Sequence, residues 1–302
     1  MNQSIKPIST ANKLYSKPGA VSIESQIGGE MYHLPIIWDE SAIDNNTGFF
    51  KCFSTHSDMW SYISNTPQSK RNFHEVIFGR NPQRLRFDID AKDGLKVLID
   101  NYNLDMLPEQ YRVSDQKYNM IIQYLRDIIF DLFIENYGND IQEHYPGYRV
   151  HKERVMMVTE SHSADKYSFH IIITKFNVKD NQEASWFMKQ VIKYLKEHQP
   201  LLIDLFDQQI YTSSQFFRIL GCCKHSDQVR TKKMSKDNMD VRKNIDKGLI
   251  QQNHNGEDLL ITTLHYTNAM PVWQVVKNGE EEYVISKETE QKCKQIISEV
   301  FK

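Results

Sequence analysis

The stretch Arg84-Leu85-Arg86-Phe87-Asp88-Ile89-Asp90 decides how this chain is read. Leu85 and Phe87 give it an apolar lead-in, so the strand that carries them is expected to be buried. Asp88 and Asp90 follow at positions i and i+2. Successive side chains of a strand alternate between its faces, so the two carboxylates project from the same face, about 6.5 to 7 Å apart along the backbone. Carboxylates held that close repel unless a cation sits between them, and hard oxygen ligands select Mg²⁺ or Mn²⁺.

Outward from this strand, the pattern predicts an α+β protein. His74-Glu75-Val76-Ile77-Phe78 and residues 84–90 read as two strands joined by the turn Gly79-Arg80-Asn81-Pro82. A long amphipathic helix is expected from an N-cap at Ser114 to near Tyr137-Gly138. Strands at 155–158 and 168–174 flank the polar turn 161–166, a helix spans 182–198, and a last strand covers 216–221. The order β, α, β, β, α, β over residues 84–221 is that of a ferredoxin-like or RRM-like antiparallel sheet. Residues 1–30 read as an N-terminal arm and 31–83 as a small α/β module whose helix starts at Ser54-Thr55. Residues 84–270 form the RRM-like module, including a basic loop at 225–255 and a β-like run at 259–264. Residues 271–302 are a tail with a terminal helix from 286 to 301.

Further chemistry lies along the same module. Lys166, Ser168 and His170 stand at i, i+2 and i+4, so a cation, a hydroxyl and an imidazole line one face while Phe169 and Ile171 point the other way. Such a row of donors suits phosphate oxygens. Asp207 follows the apolar run 201–206, and Arg218 and Lys224 lie on or just after the next strand. A third carboxylate beside two cations would complete a two-metal, triphosphate-binding constellation. Asp204 is the rival carboxylate, and its place inside a helix-like run assigns it to the surface. Between Lys224 and Lys247 there are eight basic residues against four acidic ones. Within this run Arg230, Lys232, Lys233 and Lys236 are the candidates to track a nucleic-acid backbone.

Composition limits the alternatives. The 302 residues are 40% hydrophobic and 25% charged, which describes a folded protein, and the formal net charge of -2 shows no global basic excess toward nucleic acid or membrane. Four cysteines without a CxxC support neither a disulfide framework nor a zinc site, and a reducing intracellular compartment is expected. No run approaches the roughly 18 apolar residues of a membrane span, and no signal peptide is recognisable.

Phe87-Asp88-Ile89-Asp90, Lys166-Tyr167-Ser168-Phe169-His170, and Phe206-Asp207-Gln208-Gln209-Ile210-Tyr211 with Phe217-Arg218-Ile219-Leu220-Gly221-Cys222-Cys223-Lys224 together resemble the three motifs of the archaeo-eukaryotic primase superfamily. Their order and spacing resemble those of the branch of PrimPol primase-polymerases and the primase domains of poxvirus-like primase-helicases. Trp60-Ser61-Tyr62 and His74-Glu75-Val76-Ile77 extend it, so that residues 50–225 are covered. The resemblance implies a primase catalytic core in which Asp88, Asp90 and Asp207 hold two Mg²⁺ or Mn²⁺ ions. Lys166, Ser168 and His170 would hold the phosphates of the incoming nucleotide, with Arg218 and Lys224 adding contacts. It also implies a single-stranded DNA template and primer, NTP or dNTP as substrate, and a replicative helicase in the same or another chain. Two departures stand out: Gln215 occupies the place of a further arginine, and a downstream zinc-knuckle ligand set is missing.

Two rival readings remain at this level. Gly79 precedes the aspartate pair at about the distance expected of a polymerase-β-like nucleotidyltransferase, although Arg80 follows where that family has Gly or Ser. A non-catalytic RRM-like module that binds single strands or docks a helicase is the other, and it gives no reason for three carboxylates around a row of donors.

Overall fold

The computed structural model describes residues 13–16, 35–40, 47–53, 56–112, 116–174, 176–228, 230–235 and 270–271. The strands are β1 (Lys13–Ser16), β2 (Ile36–Asp39), β3 (Thr47–Cys52), β4 (Phe73–Phe78), β5 (Arg86–Lys92), β6 (Met156–Glu160), β7 (Lys166–Ile173), β8 (Phe176–Asn177), β9 (Ser214–Arg218), β10 (Lys233–Met234) and β11 (Met270–Pro271). The helices are α1 (His56–Asn65), α2 (Gly94–Asp100), α3 (Lys117–His144), α4 (Lys152–Val155) and α5 (Asn181–His198). The protein is thus of the α+β class, with two antiparallel sheets: one in the order β1-β3-β2-β4-β9, the other β10-β6-β7-β5. A short parallel pair, β8 with β11, lies outside both.

The two-residue period of β5 sorts its side chains as the sequence predicts. Phe87, Ile89 and Ala91 are buried against the helices, and Phe169 and Ile171 of β7 and Val158 of β6 join them. The helical layer contributes Ile121, Leu125, Ile129, Phe133 and Tyr137 from α3 and Phe187, Val191 and Leu195 from α5. Each such fully buried apolar side chain contributes about 1.5–3 kcal/mol. Capping fixes the start of α5, where the Asp180 carboxylate accepts hydrogen bonds from the Gln182 and Glu183 N–H groups at 2.9 and 3.0 Å. Glu183 Oε2 in turn accepts from the Lys179 N–H at 2.6 Å, one residue before the cap.

Several expectations change. Residues 74–78 and 84–90 do contain the two expected strands, but β4 and β5 belong to different sheets. The strand expected to complete the 84–221 sheet, β9, pairs instead with β4, with His74 opposite Arg218. Its place is taken at the opposite edge by β10, which pairs with β6 inside the stretch read as a basic loop. The boundary at residue 83 therefore divides the sequence but not the sheets. Lys13–Ser16, read as part of a loose arm, pairs with β3. Helix α3 runs past Gly138 to His144, and 201–206 is mostly a 3-10 helix, Pro200–Leu205, on which Asp204 is exposed as expected. The proposed cap at Ser114, the run at 259–264 and the helix at 286–301 lie outside the described residues.

Gly79, just after β4, sits between the segment leading into β9 and the start of α5. Its N–H donates to Ser213 O at 2.7 Å and its carbonyl accepts from the Asn181 N–H at 2.6 Å. A Cβ at this position would lie 2.5 Å from the Thr212 carbonyl oxygen, so only glycine admits this packing. Close backbone approach is thus a packing reason for this glycine.

Candidate active site

The polar face of β5 and β7 looks toward the other sheet. Strand register sets Asp88 opposite His170, Asp90 opposite Ser168 and Lys92 opposite Lys166, while β6 places Thr159 beside His170. At the inner end of this face Ile172 packs with Ile77 of β4 and Phe217 of β9, closing the gap between the sheets with an apolar plug. The His170 ring lies over Phe217, with centroids 4.0 Å apart. The carboxylates and donors of two separate sequence motifs thus form one patch, bounded on one side by β9. The i, i+2 spacing places both aspartates on one face, as the sequence predicts; what the sequence leaves open is that β7 is the neighbouring strand.

The electrostatics of the patch are uneven. Burial alone would raise the pKa of Asp90, but an ion pair with Lys166, aided by the Ser168 hydroxyl, holds it below the usual carboxylate range. Asp88 lacks such a partner: burial and the neighbouring Asp90 push it up to about 6, against the opposing pull of Lys232 and Lys166. His170 Nε2 stands 3.5 Å from Asp88 Oδ1. Burial, then Lys232 and Arg218, depress the His170 pKa well below the ordinary value, so the ring is neutral at physiological pH and offers one N–H.

Asp207 is tied to this patch through the backbone. Its N–H donates to the Asp88 carbonyl at 2.9 Å, and Phe206 bridges to Ile89, so the turn after the 3-10 helix is fastened onto β5. The Asp207 carboxylate is exposed and accepts from the Gln209 N–H at 2.9 Å, yet its charge still reaches Asp88. Arg218 is buried on β9, with one guanidinium N–H directed at the Arg230 carbonyl at 3.4 Å. Lys224 is exposed, and its pKa is lowered by desolvation and by Arg218 and Lys166, which marks it as part of the same positive field. Gln215 lies on β9 opposite Ile77.

The four candidate backbone-tracking cations separate in the structure. Arg230 is braced by Asp227 at 3.0 Å and by the Ser163 hydroxyl at 3.3 Å, and Lys233 is exposed on β10. Lys236 lies outside the described residues. Lys232, read as one cation of a solvated loop, is 1% exposed. Its N–H donates to Cys222 O at 2.9 Å and its carbonyl accepts from the Gly221 N–H at 2.8 Å, so the chain doubles back along the turn after β9. Gly221, at φ 81°, supplies the left-handed step that this turn requires. Burial thus removes Lys232 from the exposed set.

Sequence reading gave no role to His74. Its ring is 7% exposed, its Nε2 lies 3.8 Å from Glu40 Oε1, and it pairs in register with Arg218. No local pattern in 73–78 separates it from a core strand residue. Only the pairing of β4 with β9 brings it to the site.

The carboxylate donors fit a hard divalent cation. Asp88 Oδ1 and Asp90 Oδ1 are both buried, and neither accepts a hydrogen bond among the described residues. Among those residues no three His, Cys, Asp or Glu side chains form a ready-made cage. In Mg²⁺-type sites one or two carboxylates share the ion with water and substrate phosphates, and Asp88 and Asp90 would suit that role. No helix among the described residues is long and apolar enough to cross a membrane.

Residues 54–234 match the family model described as the C962R protein N-terminal AEP domain, AEP denoting archaeo-eukaryotic primase. Among curated proteins, one named for a helicase/primase complex from African swine fever virus (isolate Pig/Kenya/KEN-50/1950) is 30% identical over 234 residues, 76% of this chain and 20% of that protein. Its counterpart from strain Badajoz 1971 Vero-adapted is 31% identical over 187 residues, 60% of this chain and 17% of that protein. The chain therefore spans about a fifth of the length of these relatives. With more than half of its residues inside the family model and the aspartate pair and donor row joined across two paired strands, the chain belongs to the archaeo-eukaryotic primase domains of C962R-type helicase/primase proteins.

Proposed function

We propose that this chain is a DNA-templated primase-polymerase that transfers nucleotides from NTP or dNTP to a 3′-hydroxyl. The observation that carries this reading is the register of β5 against β7, which sets Asp88 beside His170 and Asp90 beside Ser168. On this reading the sheet β10-β6-β7-β5, with α3 and α5 behind it, is the RRM-like core. Asp88, Asp90 and Asp207 would hold Mg²⁺ or Mn²⁺. Lys166, Ser168 and the neutral His170 would donate to the phosphate oxygens, while Arg218 and Lys224 offset their charge. When bound, divalent cations supply neutralisation of the phosphates and of the attacking and leaving oxygens. Transfer joins the 3′-oxygen to the α-phosphorus and releases pyrophosphate. The residues contribute mainly position and preorganised charge, which suits phosphoryl chemistry. Given the relatives' names, we further propose that the chain acts in replication together with a helicase.

The test is template-directed primer synthesis and extension on single-stranded DNA, with ribo- and deoxynucleotides compared in Mg²⁺ and in Mn²⁺. Incorporation is expected, and Asp88→Ala or Asp90→Ala should reduce it by about two orders of magnitude or more while leaving the protein folded. Full extension by either variant would remove the assignment. If the folded wild-type chain incorporates nothing, the non-catalytic single-strand-binding reading takes its place.

A further inference from the structure

Lys232 is hard to account for as a packing residue. Its side chain is enclosed, and its Nζ has no hydrogen-bond acceptor among the described residues. A buried ammonium normally has a carboxylate or a set of carbonyls around it, because desolvation without compensation is costly. The chain nevertheless fixes this residue firmly, through both backbone bonds to the Gly221-Cys222 turn. Beyond it, Lys233 pairs with Glu160, Met234 with Thr159, and the Ser235 N–H donates to Val158 O.

That register also gives its direction. Continuing the pairing by one residue puts Lys232 in the row of Ser161, whose N–H bonds Ser168 O, and so in line with Ser168 and Asp90. Met234, two residues on, falls in the row of Thr159, His170 and Asp88. Side chains two apart share a face. Lys232 therefore faces the same side of the sheet as the two aspartates and the donor row, and its charge couples to those of Arg218, Asp88, Asp90 and Lys166. Lys166 has already taken Asp90, and Arg218 is directed at the Arg230 carbonyl. Lys232 is left as an anchored donor with nothing to donate to.

We infer that the missing acceptor is the phosphate chain of the incoming nucleotide, and that Lys232 is a nucleotide-positioning residue distinct from the cations that track the template. The inference rests on the nucleotide-binding reading of the site and adds to it a residue from outside the three motifs. Lys166 at the β5–β7 edge and Lys232 beyond β6 would then hold the triphosphate from two sides of the carboxylate patch.

Lys232→Met keeps the length and apolar bulk of the side chain and removes only the amine; Lys232→Gln is the alternative where the first variant does not fold. With the full 302-residue chain and Ca²⁺ in place of a catalytic metal, binding of dATP, dAMP and inorganic tripolyphosphate is measured without primer, and melting temperature is recorded. Lys232→Met should weaken dATP and tripolyphosphate about tenfold or more, leave dAMP within about twofold, and melt at the wild-type temperature or above it, since an apolar isostere often stabilises a buried charged site. Unchanged dATP affinity would overturn the inference. So would an equal loss for all three ligands or a lowered melting temperature, which would make Lys232 a structural counter-ion of the aspartates. A wild-type chain that binds dATP but incorporates nothing would remove the proposed activity and leave this inference standing; one that binds neither dATP nor tripolyphosphate would remove both.

Discussion

At the scale of single residues, the site is governed by which charges have partners. Asp90 has Lys166 and stays ionised, whereas the half-buried Asp88 lacks such a partner and is shifted upward. The two carboxylates of one strand face thus differ in charge environment, although each keeps one Oδ1 without a hydrogen bond among the described residues. On the facing sheet, His74 is pushed down to about 4, first by burial and then by Arg218 and Lys224, with Glu40 opposing. This has a definite sign. The folded protein keeps the ring neutral while the unfolded chain protonates it near pH 6.5, so its contribution is whole above about pH 6.5 and is lost as the pH falls toward 4. The loss amounts to about 3 kcal/mol over that window. Urea denaturation between pH 8 and 4.5 should therefore show falling stability in the wild type and a shallower fall in His74→Asn. Parallel pH profiles for the two proteins would show that the ring titrates as it does in solution.

At the scale of elements, the turns decide more than the strands. Gly79 and Gly221 each allow the chain to leave one sheet and meet a segment distant in sequence, the first by close approach and the second by a left-handed backbone. Gly79→Ala should destabilise the fold by about 1–3 kcal/mol, because the Thr212 carbonyl and the Asn181 side chain must move to admit a methyl group. Chemical denaturation measures this directly. A cost near zero would mean that the inter-sheet turn relaxes freely and does not position β9. The edge strand β10 was not legible beforehand. Its two residues, Lys233 and Met234, show neither alternation nor β-branching, and the strand forms because the free edge of β6 and the Gly221 turn present backbone partners.

At the scale of the molecule, a nearly balanced charge becomes locally divided. The net charge of -2 gives no hint of a polyanionic partner, yet the charges of Lys166, Arg218, Lys224 and Lys232 all act on the aspartates. The cations of the basic run then serve different ends. Lys233 is exposed on the sheet edge, and we expect Lys233→Gln to lower the salt slope of single-stranded DNA binding by about 0.7, the value for one phosphate contact. Lys232→Gln should leave that slope unchanged, because its amine is assigned to the incoming nucleotide and not to the template backbone. Fluorescence anisotropy across a salt series reads both variants. A slope altered by Lys232→Gln and unaltered by Lys233→Gln would reverse the two roles.

The sequence by itself determined the α+β class, the helix over 182–198, observed as Asn181–His198, and the sharing of one face by Asp88 and Asp90. These follow from periodicity and capping, which act over a few residues. It also carried the motifs that place the chain in its family. The partner of each strand was decided only by the tertiary structure. The pairing of β9 with β4, which brings His74 to Arg218, and the enclosure of Lys232 both depend on segments more than a hundred residues apart or on a sheet edge. A lysine written in a basic run looks solvated until the fold surrounds it, because burial is a property of what packs against a residue and not of its neighbours in the chain.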